Sequence, residues 1–451
     1  MLTEALQDDV LVVDETINSG LALWQRAKQV IPGGNGLLSK RPERYAPDLW
    51  PTYYSKASGV EVTDLDGKTY IDMAQMGIGA AILGYCQPDV DAAVIDAIRH
   101  GVSTTLNCPE EVWLAEKLLA LNPFAGGVKF ARTGGEAMAI AVRIARAFTG
   151  KSAIAFSGYH GWSDWYLATN LGSAQGLNEH LLPGLEPKGV PESLAGTIFP
   201  FAYNNIHELE TLVKQHAIGI IVIEGARYDF PTPEFIAGLQ RIASQYDCLI
   251  VVDEITSGWR LNDGGVYKLN GLRPDIVVFG KAMGNGYAIS AVVGKKEVMD
   301  EAQATFISST FWTERIGFVA ALKTLEILVN NKVWNHLQWI GDKIGQGWAA
   351  LAQKHELKLS VTDFKPLISF KLNYGQLNAP ILTLFIQEML KRGYLAASSV
   401  YVSYAHTEAI VDQYLAHVDE VFSLIKHALL HDTLFDLLET AVKDDGFKRL
   451  N

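Results

Sequence analysis

Cysteine is scarce in this sequence, which has 451 residues and three cysteines among them. Cys86, Cys108 and Cys248 are odd in number, and no two of them have the spacing of a CxxC pair or of zinc ligands. We therefore predict neither a disulfide framework nor a metal site.

Positive charge is also in short supply. Lys and Arg together number 38 against 50 Asp and Glu, which gives a formal net charge of −12. Affinity for nucleic acids and for anionic membranes is built mainly on Lys and Arg, so neither is predicted as a partner.

Long hydrophobic runs are missing as well. No apolar run approaches the roughly 18 residues that a membrane span needs. The opening text, MLTEALQDDVLVVDET, is acidic where a signal peptide carries positive charge. With 49% hydrophobic and 20% charged residues the composition is that of a packed globular protein, and we expect a cytoplasmic one.

Short apolar runs alternate with helix-like stretches through the middle of the chain. Such runs between helical patterns are typical of buried, mostly parallel strands in an α/β sheet. The runs are GVKFA (127–131), KSAIAFS (151–157), GIIVIEG (219–225), LIVVDE (249–254), DIVVFG (275–280) and SAVVG (290–294).

This pattern predicts a two-domain α/β protein. A large, mostly parallel α/β/α domain spans residues 72–314. A smaller α+β domain combines an N-terminal segment, residues 1–71, with residues 315–451. The N-terminal segment holds a predicted helix from Glu15 to Val30 and short strands around an Asp66-Gly67 turn.

Two stretches carry no clear periodicity. The segment from Ser163 to Ala195 contains several Gly, Pro and Asn residues, and both a surface excursion and a lid over a site remain open for it. Residues 431–451 offer no functional interpretation.

Charged residues follow three consecutive apolar runs, at the strand ends where open α/β sheets bind ligands. They are Glu224, Asp253 and Lys281. A single charge in such a place often marks only the point where a strand meets water. Lys281, however, follows four apolar residues and Gly280. We expect it to be partly buried, which lowers the pKa of an amine and makes it nucleophilic toward carbonyls.

A strand, turn and helix are predicted in VKFARTGGEAMAIA, which starts at residue 128. Small residues with free N–H groups at a helix N-terminus form an anion site, and here they are Thr133, Gly134 and Gly135. The text matches neither a Walker A loop nor GxGxxG. A capped helix start without a ligand is the alternative.

Tyr159 follows the strand AIAFS, where an aromatic ring can stack on a planar ligand or simply fill the core. These parts together fit one ligand. It has a phosphate for the helix start, a flat ring for Tyr159, a ring nitrogen for Asp253 and an aldehyde for Lys281. Pyridoxal 5′-phosphate has these groups, and its protonated ring acts as an electron sink.

At this point the sequence resembles the class III aminotransferases, within the fold-type-I enzymes that use pyridoxal phosphate. It is similar to glutamate-1-semialdehyde aminomutase and the aminotransferases related to it. The motifs occur in the family's order over nearly the whole chain. They are IPGG (31–34), GVEVTDLDGKTYIDM (59–73), RTGGEAMAIAVRIARA (132–147), YHGWSD (159–164), VVDEITSGWR (251–260), VFGKAMGNG (278–286), SSTFWTE (308–314) and VSYAHTE (402–408).

The resemblance implies roles for residues at matching positions. Lys281 is the Schiff-base lysine, and Asp253 pairs with the pyridine nitrogen. The resemblance also implies that Thr133, Gly134 and Gly135 bind the phosphate. It places Tyr159 and Ile255 against the two faces of the cofactor ring. His160 and Glu224 are polar residues near the cofactor. Thr310 matches the threonine that reaches a neighbouring subunit's phosphate, which implies a homodimer with shared active sites.

The substrate half departs from the aminomutase pattern. Lys40 stands where an arginine holds the substrate carboxylate, with Arg41 next to it, and Gly225 replaces a proline. These departures favour an aminotransferase acting between two molecules. Lys40, Arg41 and Arg227 are candidate anchors for an anionic substrate group, with plain surface cations as the alternative.

Three functions therefore compete. The leading hypothesis is an aminotransferase that moves an amino group from a small donor, with glutamate as the candidate, to a carbonyl acceptor through internal-aldimine and pyridoxamine forms of the cofactor. The alternative is an aminomutase-type isomerase, which leaves no keto acid behind. The third is a non-catalytic protein with the same fold, for which retention of both Lys281 and Asp253 has no chemical reason.

Overall fold

The computed structural model describes residues 19–447 except residues 174, 179, 181 and 182. Its strands are β1 Tyr54–Ser58, β2 Glu61–Asp64, β3 Thr69–Met73, β4 Gly127–Ala131, β5 Ala153–Ser157, β6 Ile198–Pro200, β7 Ile218–Glu224, β8 Leu249–Asp253, β9 Ile276–Phe279, β10 Ser290–Gly294, β11 Leu359–Val361, β12 Leu367–Leu372, β13 Tyr394–Ala396 and β14 Ser399–Tyr401.

The helices connect and cover these strands. They are α1 Ser19–Val30, α2 Pro88–Arg99, α3 Pro109–Leu121, α4 Gly134–Thr149, α5 Asp164–Leu167, α6 Thr169–Gly172, α7 Ile206–Gln215, α8 Pro233–Tyr246, α9 Tyr267–Asn270, α10 Lys296–Met299, α11 Arg315–Asn330, α12 Val333–Lys354, α13 Asn378–Lys391 and α14 Glu408–Leu430. The predicted first helix is thus observed from Ser19 onward, and its residues 15–18 lie outside the described part of the chain.

A seven-stranded sheet forms the centre, in the order β4-β10-β9-β8-β7-β5-β6. The six predicted strands agree with those observed to within two residues at each end. Neighbours from β9 through β6 pair in parallel, whereas β10 runs antiparallel to both β4 and β9. Neither the antiparallel direction of β10 nor the three-residue edge strand β6 was predicted, because the local pattern of apolar residues indicates neither.

The sheet is buried on both faces because alternate side chains of each strand enter different cores. On β7, Ile221 and Ile223 belong to the core that contains α8, while Ile220 and Val222 belong to the core that contains α4. All seven residues of β7 are buried. Continuous apolar strands are what such a doubly covered sheet requires.

A second sheet joins distant parts of the chain. Its order is β1-β2-β3-β13, and β13 pairs in parallel with β3. The N-terminal strands therefore share a sheet with a strand from the C-terminal third, which is the arrangement expected for the smaller domain. The turn between β2 and β3 contains Gly67 at φ +83, as the Asp66-Gly67 pattern predicts. Domain boundaries at residues 71 and 314 stay a prediction.

The segment predicted to be a long loop after β5 contains, among its described residues, the short helices α5 and α6 and a 3-10 helix at Glu192–Leu194. Five residues from it, together with Trp162, line the cavity described below. They are Leu167, Gly184, Leu185, Glu186 and Lys188. The segment is therefore part of a cavity wall.

Glu254, directly after β8, is a fully buried acid. Its carboxylate accepts hydrogen bonds from the Ser257 hydroxyl at 2.5 Å and from the Tyr267 N–H at 3.2 Å. A Cβ at Gly225 would lie 2.5 Å from the carboxyl carbon, and one at Gly265 would lie 2.5 Å from a carboxyl oxygen. Glycine at position 225, where the family has proline, is thus explained by the space that Glu254 occupies.

Burial raises the pKa of Glu254 to about 7, and the hydrogen bonds from Ser257 and Tyr267 oppose that shift. A raised carboxyl pKa means that the folded chain binds a proton more tightly than the unfolded chain does. The stability gained from this tighter proton binding is therefore fully present below the unfolded pKa near 4.5, and it is lost as the pH rises through about 7.

We expect Glu254→Gln to remove this loss. Between pH 5 and pH 8 the free energy of unfolding of the wild type should fall relative to that of the variant by roughly 2–3 kcal/mol, because the amide does not ionise. Denaturant titrations of both proteins at several pH values measure the difference. The exposed Glu356→Gln change serves as control, and parallel curves for wild type and Glu254→Gln would contradict the assignment.

Candidate active site

The residues singled out at the strand ends meet at one edge of the central sheet. Glu224 ends β7 and is the register partner of Asp253, which ends β8. Asp253 is in turn the register partner of Val278, three residues before Lys281. A cavity of about 1070 Å³ opens at this edge, and Lys281 lines it.

Lys281 is held in an uncommon conformation. Its φ is +41, and its Nζ donates to Thr256 Oγ1 at 2.8 Å. Burial lowers its pKa. Tyr401 opposes this shift, while Arg227 and Arg260 add to it. A lysine with a lowered pKa presents more of the neutral amine, the form that attacks carbonyls.

A second strained residue faces the same cavity. Ile78 lines it with φ +60, a conformation that β-branched residues rarely adopt. Such conformations cost about 1–3 kcal/mol each and persist where the surroundings impose them. Asn285, at φ +45, accepts from the Leu83 N–H at 2.8 Å and donates to the Gly84 carbonyl at 3.0 Å. Two strained residues, Lys281 and Ile78, thus line one cavity.

Asp253 is buried and firmly oriented. One carboxylate oxygen accepts the Ile255 N–H at 3.0 Å, and the other lies 2.9 Å from His160 Nδ1. The second ring nitrogen of His160 lies 3.1 Å from the Ser157 carbonyl. Because both neighbours of the imidazole are acceptors, the ring makes both bonds when it carries two protons, and its charge then balances that of Asp253. His160 is therefore a positioning group for Asp253.

The turn from β4 into α4 confirms the predicted capped helix start. The Thr133 hydroxyl accepts the Glu136 N–H, and the Glu136 carboxylate accepts the Thr133 N–H at 2.9 Å. A Cβ at Gly134 would lie 2.9 Å from Ile255 Cδ1, and one at Gly135 would lie 3.0 Å from the Trp162 ring. Side chains at these two positions would collide with Ile255 and Trp162. Glycine avoids the collision and leaves the backbone of the first helical turn uncovered. First-turn N–H groups have no partner within the helix and suit a phosphate.

Glu224 connects Tyr159 with Arg227. Its carboxylate accepts the Tyr159 N–H at 3.1 Å and lies 3.2 Å from Arg227 Nε. The Arg227 guanidinium lies 5.6 Å from the centre of the Tyr159 ring, and both residues line the cavity. Burial is the largest single influence and lowers the pKa of Arg227, but Glu224 together with Tyr401, Tyr228 and Asp253 raises it overall. A fixed cation therefore stands beside the aromatic ring.

Tyr401 and Arg260 belong to the site, yet the sequence analysis assigned them no role. The Tyr401 ring lies 5.3 Å from the Arg260 guanidinium and 6.0 Å from Lys281 Nζ. Burial raises the pKa of Tyr401, but Lys281, Arg227 and Arg260 together lower it below its ordinary value. Arg260 is itself buried, which lowers its pKa to about 10.

Of the predicted site residues, Tyr159, Arg227 and Lys281 line the cavity. Its wall does not include Thr133, Gly134, Gly135, His160, Glu224, Asp253, Ile255, Thr310, Lys40 or Arg41. Lys40 is exposed, and the Arg41 guanidinium lies 6.0 Å from the Phe447 ring. The cavity wall includes the neighbouring residues 37–39 and Arg44 but neither of these two cations. Thr310 is exposed and is likewise absent from the wall of this cavity.

The arrangement offers the donor set that pyridoxal 5′-phosphate needs. Lys281 supplies an amine for the aldehyde, Asp253 a carboxylate for the ring nitrogen, and Gly134 and Gly135 backbone N–H groups for the phosphate. Within the described residues, no group of three or more His, Cys, Asp or Glu side chains is placed to hold a metal ion. No described helix is long and apolar enough to cross a membrane.

Comparison with known proteins agrees with this chemistry. The family model Aminotransferase class-III matches residues 44–399. The 3-aminobutyryl-CoA aminotransferase of Cloacimonas acidaminovorans (strain Evry) is 32% identical over 91% of this chain and 98% of that protein. The 2′-deamino-2′-hydroxyneamine transaminase of Streptomyces kanamyceticus is 28% identical over 88% of this chain and 98% of that protein.

Among solved structures, the internal aldimine form of the Sphingopyxis sp. MTA144 FumI protein, which contains pyridoxal phosphate, has the same fold. It aligns with a TM-score of 0.82 and 24% identity over 92% of this chain and 99% of that one. The predicted fold type, cofactor and resemblance are confirmed, and the aminotransferase hypothesis prevails over the aminomutase alternative. The chain belongs to the class III aminotransferase family, whose enzymes use pyridoxal 5′-phosphate to move amino groups.

Proposed function

We propose that amino transfer takes place in the cavity at the ends of β5, β7, β8 and β9, with Lys281 and Asp253 as its catalytic residues. The observation that carries this proposal is the half-buried Lys281 amine, with its lowered pKa, two residues beyond β9, the strand that pairs with the one ending in Asp253. No other arrangement in the described residues combines these groups with a glycine-rich helix start.

Each remaining contact to the cofactor is proposed from its place in the site. Lys281 would hold the aldehyde, and Asp253, oriented by His160, would hold the protonated ring nitrogen. Phosphate binding falls to the Gly134 and Gly135 N–H groups. Thr133 contributes by capping the helix, since its hydroxyl already accepts a backbone bond.

The two faces of the cofactor ring have candidate neighbours. Tyr159 would cover one face, with Glu224 fixing its backbone. Ile255 would cover the other, since it lies against both Gly134 and Gly280. When bound, the cofactor supplies an electron sink that stabilises negative charge on the substrate carbon. The protein orients the Asp253 carboxylate toward its place beside the ring nitrogen through the Ile255 N–H and the His160 ring.

Lys281 also moves the proton in this proposal. Once a substrate amine has taken its place, Nζ would be free to accept the proton from the substrate Cα and to deliver it to the cofactor carbon that carried the aldehyde. Burial and the nearby guanidinium groups keep this amine neutral enough to act as a base. Thr256 Oγ1, at 2.8 Å from Nζ, orients it.

For the substrate, we propose glutamate as the donor and a carbonyl compound with an anionic group as the acceptor. Arg227 is the first candidate to bind the anion, because it lines the cavity and its charge is secured by Glu224. Lys40 and Arg41 rank below it because they lie outside the cavity wall. The names of the two relatives refer to 3-aminobutyryl-CoA and to 2′-deamino-2′-hydroxyneamine, two different compounds, so they do not select one acceptor.

We further propose a homodimer in which Thr310 reaches the partner's phosphate site. In support, Thr310 is exposed on a turn that Arg132 fixes, with Arg132 Nε donating to the Phe311 carbonyl at 2.6 Å. Phe311 and Phe306, on the same stretch, expose 67% and 88% of their surface. Two exposed aromatic rings on one short stretch indicate a surface that a second subunit covers.

A cytoplasmic location is proposed as well. It is supported by the three cysteines, none of which is disulfide-bonded. Unpaired thiols are typical of a reducing compartment.

The lysine is tested by Lys281→Ala. Wild type loaded with pyridoxal phosphate should show a visible absorption band that L-glutamate bleaches. In the variant the rate of bleaching should fall by a factor of about 10² or more, because the base is gone. Lys295→Ala is the matched control, since Lys295 pairs with Asp275 at the opposite edge of the sheet. Bleaching at the wild-type rate in Lys281→Ala would refute the assignment.

The arginine is tested by Arg227→Ala and Arg227→Lys. We expect Arg227→Ala to raise the KM for glutamate about tenfold while the constants for an uncharged amine of similar length change little, because one ion pair to the substrate is lost. Arg227→Lys should recover part of the affinity, as it keeps the charge beside Glu224. Equal losses for charged and uncharged amines would show a structural role instead.

The subunit contact is tested by Thr310→Ala. Light scattering should show a dimer for both wild type and variant, while absorbance titration should show a Kd for pyridoxal phosphate about tenfold weaker in the variant. The reason is one lost hydrogen bond to a charged group. Thr305→Ala, a few residues away, is the control. A monomeric wild type would contradict the shared site directly.

A further inference from the structure

The part of the chain after α14 runs back across the molecule to the mouth of the cavity. We call residues 437–447 the return segment. The Asp444 N–H donates to the Glu43 carbonyl at 2.7 Å, and the Phe447 N–H donates to the Pro183 carbonyl at 3.1 Å. Thr440 Oγ1 donates to the Pro47 carbonyl. The segment therefore bridges the N-terminal region and the loop after α6.

Buried polar side chains on α13 hold the start of the return segment. Gln387, which is 1% exposed, donates to the Leu437 carbonyl at 2.9 Å and accepts the Glu439 N–H at 2.8 Å. Thr383, fully buried, accepts the Lys443 N–H at 3.1 Å. A buried amide is costly unless its hydrogen bonds are made, and the return segment makes them for Gln387.

The far end of the return segment is fixed from the cavity side. Arg44, itself part of the cavity wall, donates from Nη1 to the Asp444 carbonyl at 2.9 Å and to the Gly446 carbonyl at 3.4 Å. Gly184 and Gly446 permit a close approach, since a Cβ on Gly184 would lie 3.1 Å from the Phe447 carbonyl oxygen. The segment is thus docked along its whole length.

Two of its side chains form part of the cavity wall. Lys443 and Phe447 line the same cavity as Tyr159, Arg227 and Lys281. The Lys443 side chain is 8% exposed and is paired with Asp445, whose own side chain is 64% exposed. An ammonium group is thus held at the wall while its counter-ion stays in water.

Basic side chains outnumber acidic ones in the wall, although the net charge of the whole protein is −12. Its Lys, Arg, Asp and Glu residues are Arg44, Lys188, Arg227, Lys281, Lys443 and Glu186. Arg227 is paired with Glu224 and Lys443 with Asp445, and the pKa of the Lys281 amine is lowered. A wall that is rich in basic groups favours an anionic ligand. The volume of about 1070 Å³ is at the upper end of ordinary ligand sites.

We propose that the return segment is part of the substrate site and determines specificity. Lys443 contacts an anionic group several bonds beyond the reacting carbon, and Phe447 packs along the chain between them. The substrate class is therefore an extended amine, or the matching carbonyl compound, with a remote anion. This inference rests on the proposed function of the cavity and adds to it a second anion contact beyond Arg227.

The probes are β-alanine, 6-aminohexanoate and hexylamine, each added to the enzyme loaded with pyridoxal phosphate. Bleaching of the cofactor band gives an apparent dissociation constant for each amine without any acceptor. Lys443→Gln should weaken 6-aminohexanoate about tenfold and leave hexylamine and β-alanine unchanged, since only the long amino acid places its charge at Lys443. Phe447→Ala should weaken both six-carbon amines and spare β-alanine.

Matched controls come from the same end of the fold. Phe435→Ala removes an aromatic ring that is 60% exposed, and Lys426→Gln removes a lysine paired with Glu356 on the surface of α14. Both should behave as wild type with all three amines. Unchanged constants in Lys443→Gln and Phe447→Ala, or equal losses for short and long amines, would overturn the proposal.

Hydrogen exchange gives a second readout that does not depend on turnover. Binding of 6-aminohexanoate to the wild type should slow exchange at the amides of Lys443, Asp444 and Phe447, whereas β-alanine should not. If neither ligand slows them, the segment takes no part in binding. A wild type that shows no cofactor band, or one that no amine bleaches, would instead reject the proposed function itself. The two failures are thereby distinguished.

Discussion

The carboxylate of Glu224 holds the backbone of Tyr159 and the guanidinium of Arg227, and the relative positions of these two residues depend on it. It is 7% exposed, and a buried charge persists only where partners satisfy it. The Tyr159 N–H and the Arg227 guanidinium are those partners. Gly158, which precedes Tyr159, has φ +107. Only glycine fits there, because a Cβ would lie 2.5 Å from the Glu224 carboxylate. One buried acid thus sets the positions of a proposed cofactor neighbour and a proposed substrate anchor.

The next strand shows how neighbouring acids acquire different properties. Asp253 and Glu254 are adjacent in sequence and both buried. Asp253 lies beside the His160 ring, which can supply a counter-charge, whereas Glu254 is hydrogen-bonded by a neutral hydroxyl and a backbone N–H. Desolvation therefore dominates at Glu254 and brings its pKa to about 7. At Glu254 the neutral partners offset only part of the desolvation, so its pKa stays raised.

How far sequence predicts such a site depends on how local the signals are. The strands β4, β5, β7, β8, β9 and β10 were predictable because a doubly covered strand must be apolar along its length. Asp253 and Lys281 followed, since strand ends of one sheet converge. Tyr401 and Lys443 did not follow. Their approach depends on contacts such as that between Arg44 and the Asp444 carbonyl, which are 400 residues apart. Neither periodicity nor motifs in the sequence predict a contact between residues so far apart in the chain.

The same distinction explains why the cofactor half of the motif set matches the family and the substrate half departs from it. Apart from Thr310, the proposed cofactor residues of this chain lie at the ends of strands of one sheet or within a few residues after them, where a change of position would disturb the core. The walls of the cavity come from segments near residues 37–44, 184–188, 227, 397–401 and 443–447. Backbone hydrogen bonds hold many of these segments, so their side chains can change without loss of the fold. Differences in substrate within the family are therefore expected to arise in these walls, and the return segment is the wall least constrained by the sheet.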